Sequence, residues 1–229
     1  DLVPAFGAAL IAAVLMVSDA FRNDAAATLA RSAWFAGPWQ TGPSVWGPLR
    51  EATLGIVRAD YRHVYVPVLW TMHYELIGSM LLFALFLVMP PRWLRFIGYA
   101  IAAILLWQSY LFGFVAGVVI CEVWLARGDR NTALRRWIFI PLGLYGLLLG
   151  SCPSPTANGF YRAALPGVWH DDSTQAHSVG AALLLAAVVA LPPAHRALSV
   201  RPLRLLGRVS FSLYLLHFMV LGSVGAQTF

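Results

Sequence analysis

Two carboxylates stand inside long apolar stretches of the sequence, where ionisable side chains are rare, and one histidine lies deep in such a stretch. Glu75 lies about two turns into the apolar stretch Val68–Met89, Glu122 lies near the end of another stretch, and His217 lies deep in the last one. An ionisable group inside a bilayer costs on the order of 2.5–3.5 kcal/mol by insertion scales, and it therefore marks a candidate functional site. Proton transfer is the chemistry that such groups can perform.

Glu75 shares one helical face with Thr71, Gly78 and Ser79, because positions three and four apart stack along a helix. A polar stripe that includes a small residue faces protein or a cavity and not lipid. Glu75 is then either a hydrogen-bonded packing residue or a carboxylate that orients a histidine on a neighbouring helix or binds a hydroxyl substrate. Both interpretations predict a buried carboxylate with protein partners.

His217 shares a face with Ser210 and Tyr214. A lone membrane histidine often only bonds a neighbouring helix, but the hydroxyls beside this one keep a catalytic role open. Glu122 stands a few residues before Arg127, so it is interpreted as a solvated carboxylate that reaches the membrane surface. The sequence has no glycine-rich phosphate loop, no HxxxH spacing and no Gly-x-Ser-x-Gly elbow, so no metal or permanently bound cofactor is predicted.

The composition indicates an integral membrane protein. Hydrophobic residues make up 59% and charged residues 11% of the 229 positions, against about 45–50% and about 25% in an ordinary soluble domain. A soluble enzyme, a disordered chain and a disulfide scaffold are therefore excluded. The net charge of +6 comes from arginines scattered between apolar segments, which favours a membrane-orientation signal over nucleic-acid binding.

The sequence predicts an all-α integral membrane protein with about seven transmembrane helices and two long extracytoplasmic loops, and the whole chain 1–229 as one transmembrane domain. A helix crosses the hydrocarbon core with about 20 apolar residues. The stretches that qualify or come close are Leu2–Val17, Val68–Met89, Leu94–Trp107, Tyr110–Leu125, Trp137–Gly150, Ala176–Leu191 and Leu205–Gly222. The third and fourth are predicted to be separate helices joined by a tight turn at Gln108–Ser109, since one helix over both is too long for a single crossing.

The arginines support this topology. Ten of them fall in three short connectors that are predicted to be cytoplasmic, and six fall in long loops on the opposite face. The long outer loops are Ser18–Pro67 and Ser151–Gln175. The first contains Trp34, Trp39 and Trp46, which are interpreted either as part of an aromatic belt at the bilayer surface or as a folded cap whose indole rings stack on sugars.

Three segments resemble the membrane acyltransferase-3 family. The stretch Leu69–Ser79 is similar to the family pattern Leu-Trp-Thr/Ser, three residues and Glu, with Gly-Ser beyond it. Tyr110–Gly117 is similar to a Phe-x-x-Gly span of the family. Leu206–His217 resembles its last conserved helix, Leu-Gly-basic-x-Ser-Tyr/Phe-Ser-x-Tyr-Leu-x-His. The three matches keep the family's order and spread over about two thirds of the chain.

The resemblance implies a multi-pass enzyme of the inner (plasma) membrane that moves an acyl group, most often acetyl. The donor is cytoplasmic acyl-CoA as a co-substrate, and the acceptor is a hydroxyl of an extracytoplasmic carbohydrate or lipid-linked molecule. The expected partners are therefore acyl-CoA, this acceptor and membrane lipid. The family's catalytic histidine in its first span, and the basic pair after that span, have no counterpart here, so the amino-terminal spans are expected to be missing.

By the same resemblance, Glu75 and His217 are the catalytic candidates, with Glu75 supporting a histidine or the acceptor hydroxyl. The predicted substrate-binding residues are Trp70, Thr71, Ser79 and Tyr214. Arg92 and Arg208 are predicted to attract the CoA phosphates, since arginine forks suit phosphate. The alternative for both arginines is that they serve only to orient the membrane helices.

Two other functions stay open. A transporter or flippase for a lipid-linked sugar would use the same cavity without chemistry, although such proteins usually show paired helix breaks in two related halves, which this sequence lacks. An inactive fragment or membrane scaffold is the third possibility, and the polar stripe around Glu75 argues against it.

Overall fold

The computed structural model describes residues 2–21, 28, 38–39, 44, 46–58, 65–127, 132–153, 159–165 and 173–225. All regular structure in these residues is helical, which confirms the all-α prediction for this part of the chain. The α-helices are α1 (Leu2–Val17), α2 (Gly47–Arg50), α3 (Ile56–Arg58), α4 (Trp70–Val88), α5 (Arg92–Leu105), α6 (Phe112–Arg127), α7 (Thr132–Gly150), α8 (Gly159–Ala164), α9 (Ser173–Ala190), α10 (Pro192–Leu198) and α11 (Arg201–Val220). Two π-helical segments, Glu51–Gly55 and Leu221–Gly225, follow α2 and α11, and the 3-10 turn Pro67–Leu69 leads into α4.

Two helical stretches are long and apolar enough to cross a bilayer, namely Pro67–Val88 and Arg201–Gly225. A third qualifies if Thr174–Ala190 and Pro192–Leu198, which meet at a bend of 89°, form one span. These stretches indicate a membrane protein. The first two coincide with the predicted second and last spans. Helices α1, α6 and α7 are shorter apolar helices at three other predicted positions, so the full count of seven stays a prediction.

The chain divides into two compact units, and the first contains Asp1–Leu76 and Arg201–Phe229. Its core depends on small residues of α1, which recur every three or four positions on one face. The buried ones are Ala5, Ala8, Ala9 and Ala12. Leu215 and Met219 of α11 belong to the same buried cluster. Because alanine occupies little space, α1 can pack closely on its neighbours, as membrane helices commonly do.

In the second unit, Ile77–Val200, glycines bring α7 and α9 into backbone contact. A Cβ atom at Gly146 would lie 2.8 Å from the carbonyl oxygen of Gly180, and one at Gly143 would lie 2.9 Å from the Cβ atom of Ala187. Real Cβ atoms do not approach so closely, so a larger residue at either position would push the two helices apart. Small residues therefore set the spacing of this helix pair.

Helices α5 and α6 form a tight hairpin in the same unit. After α5 ends, the amide of Ser109 donates to the carbonyl of Leu106, and the amide of Phe112 donates to the carbonyl of Ser109. The predicted separation of the third and fourth apolar stretches is thereby confirmed. Tyr99 of α5 and Val115 of α6 are buried against each other's helix in one cluster.

Candidate functional site

Two of the predicted substrate-binding residues, which lie far apart in sequence, meet in the first unit. The hydroxyl of Tyr214 on α11 donates to the Thr71 Oγ1 atom on α4 at 3.2 Å, across 143 positions. Thr71 in turn donates to the carbonyl of Val68 at 2.9 Å, within the turn that starts α4. Because the Thr71 hydroxyl has one hydrogen, its bond to Val68 makes it the acceptor toward Tyr214. The two helices are thus joined by a directed chain of hydroxyl groups.

The imidazole of His217 lies beside this chain. Its Nδ1 atom contacts the carbonyl oxygen of Tyr214, one turn earlier on α11. A carbonyl oxygen only accepts hydrogen bonds, so Nδ1 carries a hydrogen in this contact, and in the neutral imidazole the lone pair then lies on Nε2. The ring centroid lies 5.6 Å from that of Tyr214, and the side chain is half-buried. The imidazole ring of His217 and the phenol ring of Tyr214 are therefore neighbours on α11.

Glu75 lies one turn after Thr71 on α4 but is exposed. Within the described part of the chain it has no hydrogen bond or ion pair, and the ring of His217 is oriented by a backbone carbonyl instead. Among the described residues, the expectation of a buried Glu75 with protein partners is therefore wrong. The physical reason is that the protein covers little of this stretch: 11% of its most apolar window is buried.

The other predicted substrate-binding residues lie along α4 at different levels. Trp70 stands at its first position and packs edge-on against Tyr74, with ring centroids 5.9 Å apart. Ser79 lies two turns beyond Thr71 and is half-buried. His73, two positions before Glu75, contacts the carbonyl of Ile56 through Nδ1 at 2.7 Å. The hydroxyl chain therefore includes Thr71 and Tyr214, while Trp70 and Ser79 flank it on the same helix.

A buried carboxylate that the sequence did not single out stabilises the segment before α4. The amide of Tyr65 donates to Oε2 and Oε1 of Glu51 at 2.8 and 2.9 Å, and the amide of Val66 donates to Oε1 at 2.8 Å. Burial raises the pKa of the Glu51 carboxyl to about 7, and the two amides partly oppose this rise. Glu51 thereby fixes the chain immediately before the turn that carries Thr71.

Trp39 is a core residue rather than a surface residue. It is 8% exposed, its indole N–H donates to the carbonyl of Tyr65 at 2.9 Å, and its ring stacks on Phe21 with centroids 4.0 Å apart. Both earlier interpretations, a bilayer belt and a sugar-stacking surface, are therefore wrong for Trp39. Trp46 is 72% exposed and stays compatible with either, and Trp34 lies outside the described residues.

The second buried carboxylate is Glu122, and here the prediction of a solvated side chain is wrong. Glu122 is 6% exposed and accepts bonds from Arg95 Nε at 2.8 Å, from Arg92 Nε at 3.2 Å and from the Tyr99 hydroxyl at 2.8 Å. Arg92 also donates to the backbone carbonyl of Glu122. The hairpin returns the end of α6 to the start of α5, which brings two cations to the carboxylate and removes its need for water.

Because of this pairing, the two arginines that were predicted to bind CoA phosphates differ in their availability to an anion. Arg92 is committed to Glu122, although 46% of its side chain is exposed. Arg208 is exposed on α11, and no ion pair forms there among the residues that the structure describes. Arg208 is thus available to an anion, whereas Arg92 would have to share its guanidinium group.

The structure has two clefts that are lined by residues outside the predicted site. One of about 510 Å³ lies beside α1 and α2 and is lined mostly by apolar side chains, including Leu10 and Val14. The other, about 310 Å³, lies between α6 and α9, where Gly113 and Gly117 face His177 and Ser178. His177 donates from Nε2 to the carbonyl of Cys152 at 2.7 Å. Neither cleft contains a residue of the hydroxyl chain.

No cluster of three or more metal-ligating side chains occurs in the described part of the chain. The chain matches no protein-family model, no curated protein and no solved structure. The likeness to the acyltransferase-3 family therefore stays a prediction that rests on the residues quoted for it.

Proposed function

We propose that this protein is a membrane-embedded O-acyltransferase whose catalytic base is His217. The hydrogen bond of 3.2 Å between Tyr214 and Thr71 is the observation that supports it most directly. It joins two of the three segments that resemble the family, and the two bonded residues are 143 positions apart in the sequence. A protein that needed either segment only for membrane anchoring would gain little from a directed polar contact between them.

In the proposed reaction, Nε2 of His217 accepts the proton of an acceptor hydroxyl. The alkoxide oxygen attacks the thioester carbonyl carbon of acyl-CoA, the carbon–sulfur bond breaks, and the CoA thiolate takes up the proton. The hydroxyl of Tyr214 is the donor that we assign to the developing oxyanion, once its single hydrogen turns from the Thr71 Oγ1 atom to the substrate. The bond from His217 Nδ1 to a backbone carbonyl supports this role, because in the neutral imidazole it places the lone pair on Nε2.

The proposal includes the topology that the sequence predicts. Seven spans of an inner-membrane protein would let a cytoplasmic thioester meet an extracytoplasmic carbohydrate or lipid-linked acceptor in one cavity. Glu75, exposed on the same face of α4 as Thr71, would contact the acceptor or a further protein segment. Neither Arg92 nor Arg208 is required for the chemical step.

The test is thiol release from acetyl-CoA by the full-length protein in membranes, with transfer of radiolabelled acetyl groups to cell-surface carbohydrate as the second readout. We expect His217→Gln to abolish both. His73→Gln is the matched control, since His73 has the same Nδ1-to-carbonyl contact but lies outside the hydroxyl chain. Unchanged transfer by His217→Gln would contradict the assignment, and acceptor movement without thiol release would indicate a transporter.

A further inference from the structure

The first ten residues of α11, Arg201–Ser210, are exposed at every position. Arg201, Arg204 and Arg208 recur at intervals of three and four residues, so their side chains lie on one face of the helix. No hydrogen bond or ion pair from these three guanidinium groups is formed with the residues that the structure describes. The segment is therefore a row of three cations without counter-ions among the described residues.

An apolar flank accompanies the arginine face. Leu205, Leu206 and Val209 are 61%, 53% and 40% exposed, and helical geometry puts them on an adjoining side of α11. The segment opens a stretch, Arg201–Gly225, that is long and apolar enough to cross a bilayer. A helix with cationic and leucine-rich faces at the end of such a stretch is suited to the boundary between headgroups and acyl chains.

The charges of α11 also favour an anion at this end. The helix contains no Asp or Glu between its first and last residue. Arg201 and Arg204 stand in its first turns, where the helix dipole is positive and favours negative charge. Three cations beside a positive helix end repel one another, and a bound phosphate would relieve that repulsion.

We propose that the arginine face of Arg201, Arg204 and Arg208 binds the phosphate headgroups of anionic phospholipids. The leucine flank favours a lipid over a soluble phosphate compound, because it contacts the acyl chains of the same molecules whose headgroups the guanidinium groups bind. The site is separate from the proposed acyl transfer. It gives Arg208 a role at the membrane surface in place of the predicted contact with CoA.

The experiment titrates fluorescent phosphatidylglycerol into the full-length protein in neutral detergent micelles, with fluorescent phosphatidylcholine as the headgroup control. Each cation near an anionic surface contributes about fivefold in affinity, so Arg204→Gln with Arg208→Gln should weaken binding roughly 25-fold. Glutamine forms helix about as well as arginine, so α11 is expected to persist. Arg204→Lys with Arg208→Lys keeps the charge and should retain most of the affinity.

The matched control is Arg58→Gln with Arg196→Gln, which removes two charges from exposed positions on α3 and α10. An equal loss in this control would show a non-specific effect of net charge and overturn the proposal. Equal binding of phosphatidylcholine would overturn it as well. Displacement of the fluorescent lipid by CoA as efficiently as by unlabelled phosphatidylglycerol would reassign the arginines to a soluble phosphate ligand.

Discussion

Arg95 donates from Nε to Oε1 of Glu122 at 2.8 Å, across 27 positions of sequence. The bond joins the first turn of α5 to the end of α6, and Tyr99 donates to the same carboxylate oxygen. The start of α5 is thereby joined to the end of α6. The two helices are thus held together at the side of the hairpin opposite its turn.

We expect Glu122→Gln to lower the midpoint of thermal unfolding by about 4–8 °C, because it leaves two arginines facing a buried site without an anion. The measurement is thermal unfolding in detergent, with the exposed Glu75→Gln as the control for loss of a carboxylate. Adding Arg95→Gln to Glu122→Gln should recover part of the loss. Strict additivity of the two losses would contradict direct coupling.

Glu75→Gln should abolish acyl transfer while expression and stability stay normal. The side chain is exposed, and changes at such positions usually alter stability by no more than about 0.5 kcal/mol. Loss of activity would therefore report on chemistry or acceptor binding rather than on folding. Radiolabelled acetyl transfer and the unfolding midpoint are measured on the same preparation. Normal transfer would remove Glu75 from the mechanism.

The Glu51 carboxyl should make stability fall as pH rises from about 4.5 to about 7. Its pKa is about 7 in the fold, against 4.5 for an ordinary glutamate, so the folded state binds the proton more tightly across that window. Stability is then full below pH 4.5 and decreases until the carboxyl has ionised. Unfolding midpoints across this range should show a shallower decline for Glu51→Gln, which cannot ionise. A steeper decline in that variant would contradict the assignment.

Gly222→Ala should destabilise the first unit. A Cβ atom there would lie 2.6 Å from Cζ3 of Trp39, whose ring is already held by its stack on Phe21. Overpacking of this kind costs about 1–3 kcal/mol. Gly207→Ala is the matched control, because no atom lies within 4 Å of a Cβ at Gly207 and alanine favours the helix there. Chemical denaturation of both variants measures the difference.

The sequence predicted the helices well because apolar length and turn residues are local properties. The stretch at Val68–Met89 appears as Pro67–Val88, and the break at Gln108–Ser109 divides α5 from α6. Each of these predictions needed only a count of apolar residues and the length limit for one crossing. Neither depended on knowing which helices become neighbours.

The environment of single side chains was harder to predict, because it depends on distant contacts. Glu122 was expected in water, and it is buried because Arg92 and Arg95 return to it through the hairpin. Trp39 was expected at a surface, and it is buried because Phe21 and Gly222 enclose its ring. The burial of Glu51 was not predicted, because this residue lies in a predicted loop that has no periodic pattern of apolar residues. One signal was available: basic residues in the first turn of α5 and an acid near the end of α6 would meet in any antiparallel hairpin.

The order of synthesis gives the Arg92, Arg95 and Glu122 cluster a further consequence. The ribosome adds both arginines before the carboxylate, which follows Arg92 by 30 positions and Arg95 by 27. In the topology that the sequence predicts, the two guanidinium groups would therefore act as an unopposed topogenic signal while α4 and α5 are oriented. Glu122 would bind them only after α6 has been inserted, so in this topology the same two charges would serve biogenesis first and the finished hairpin afterwards.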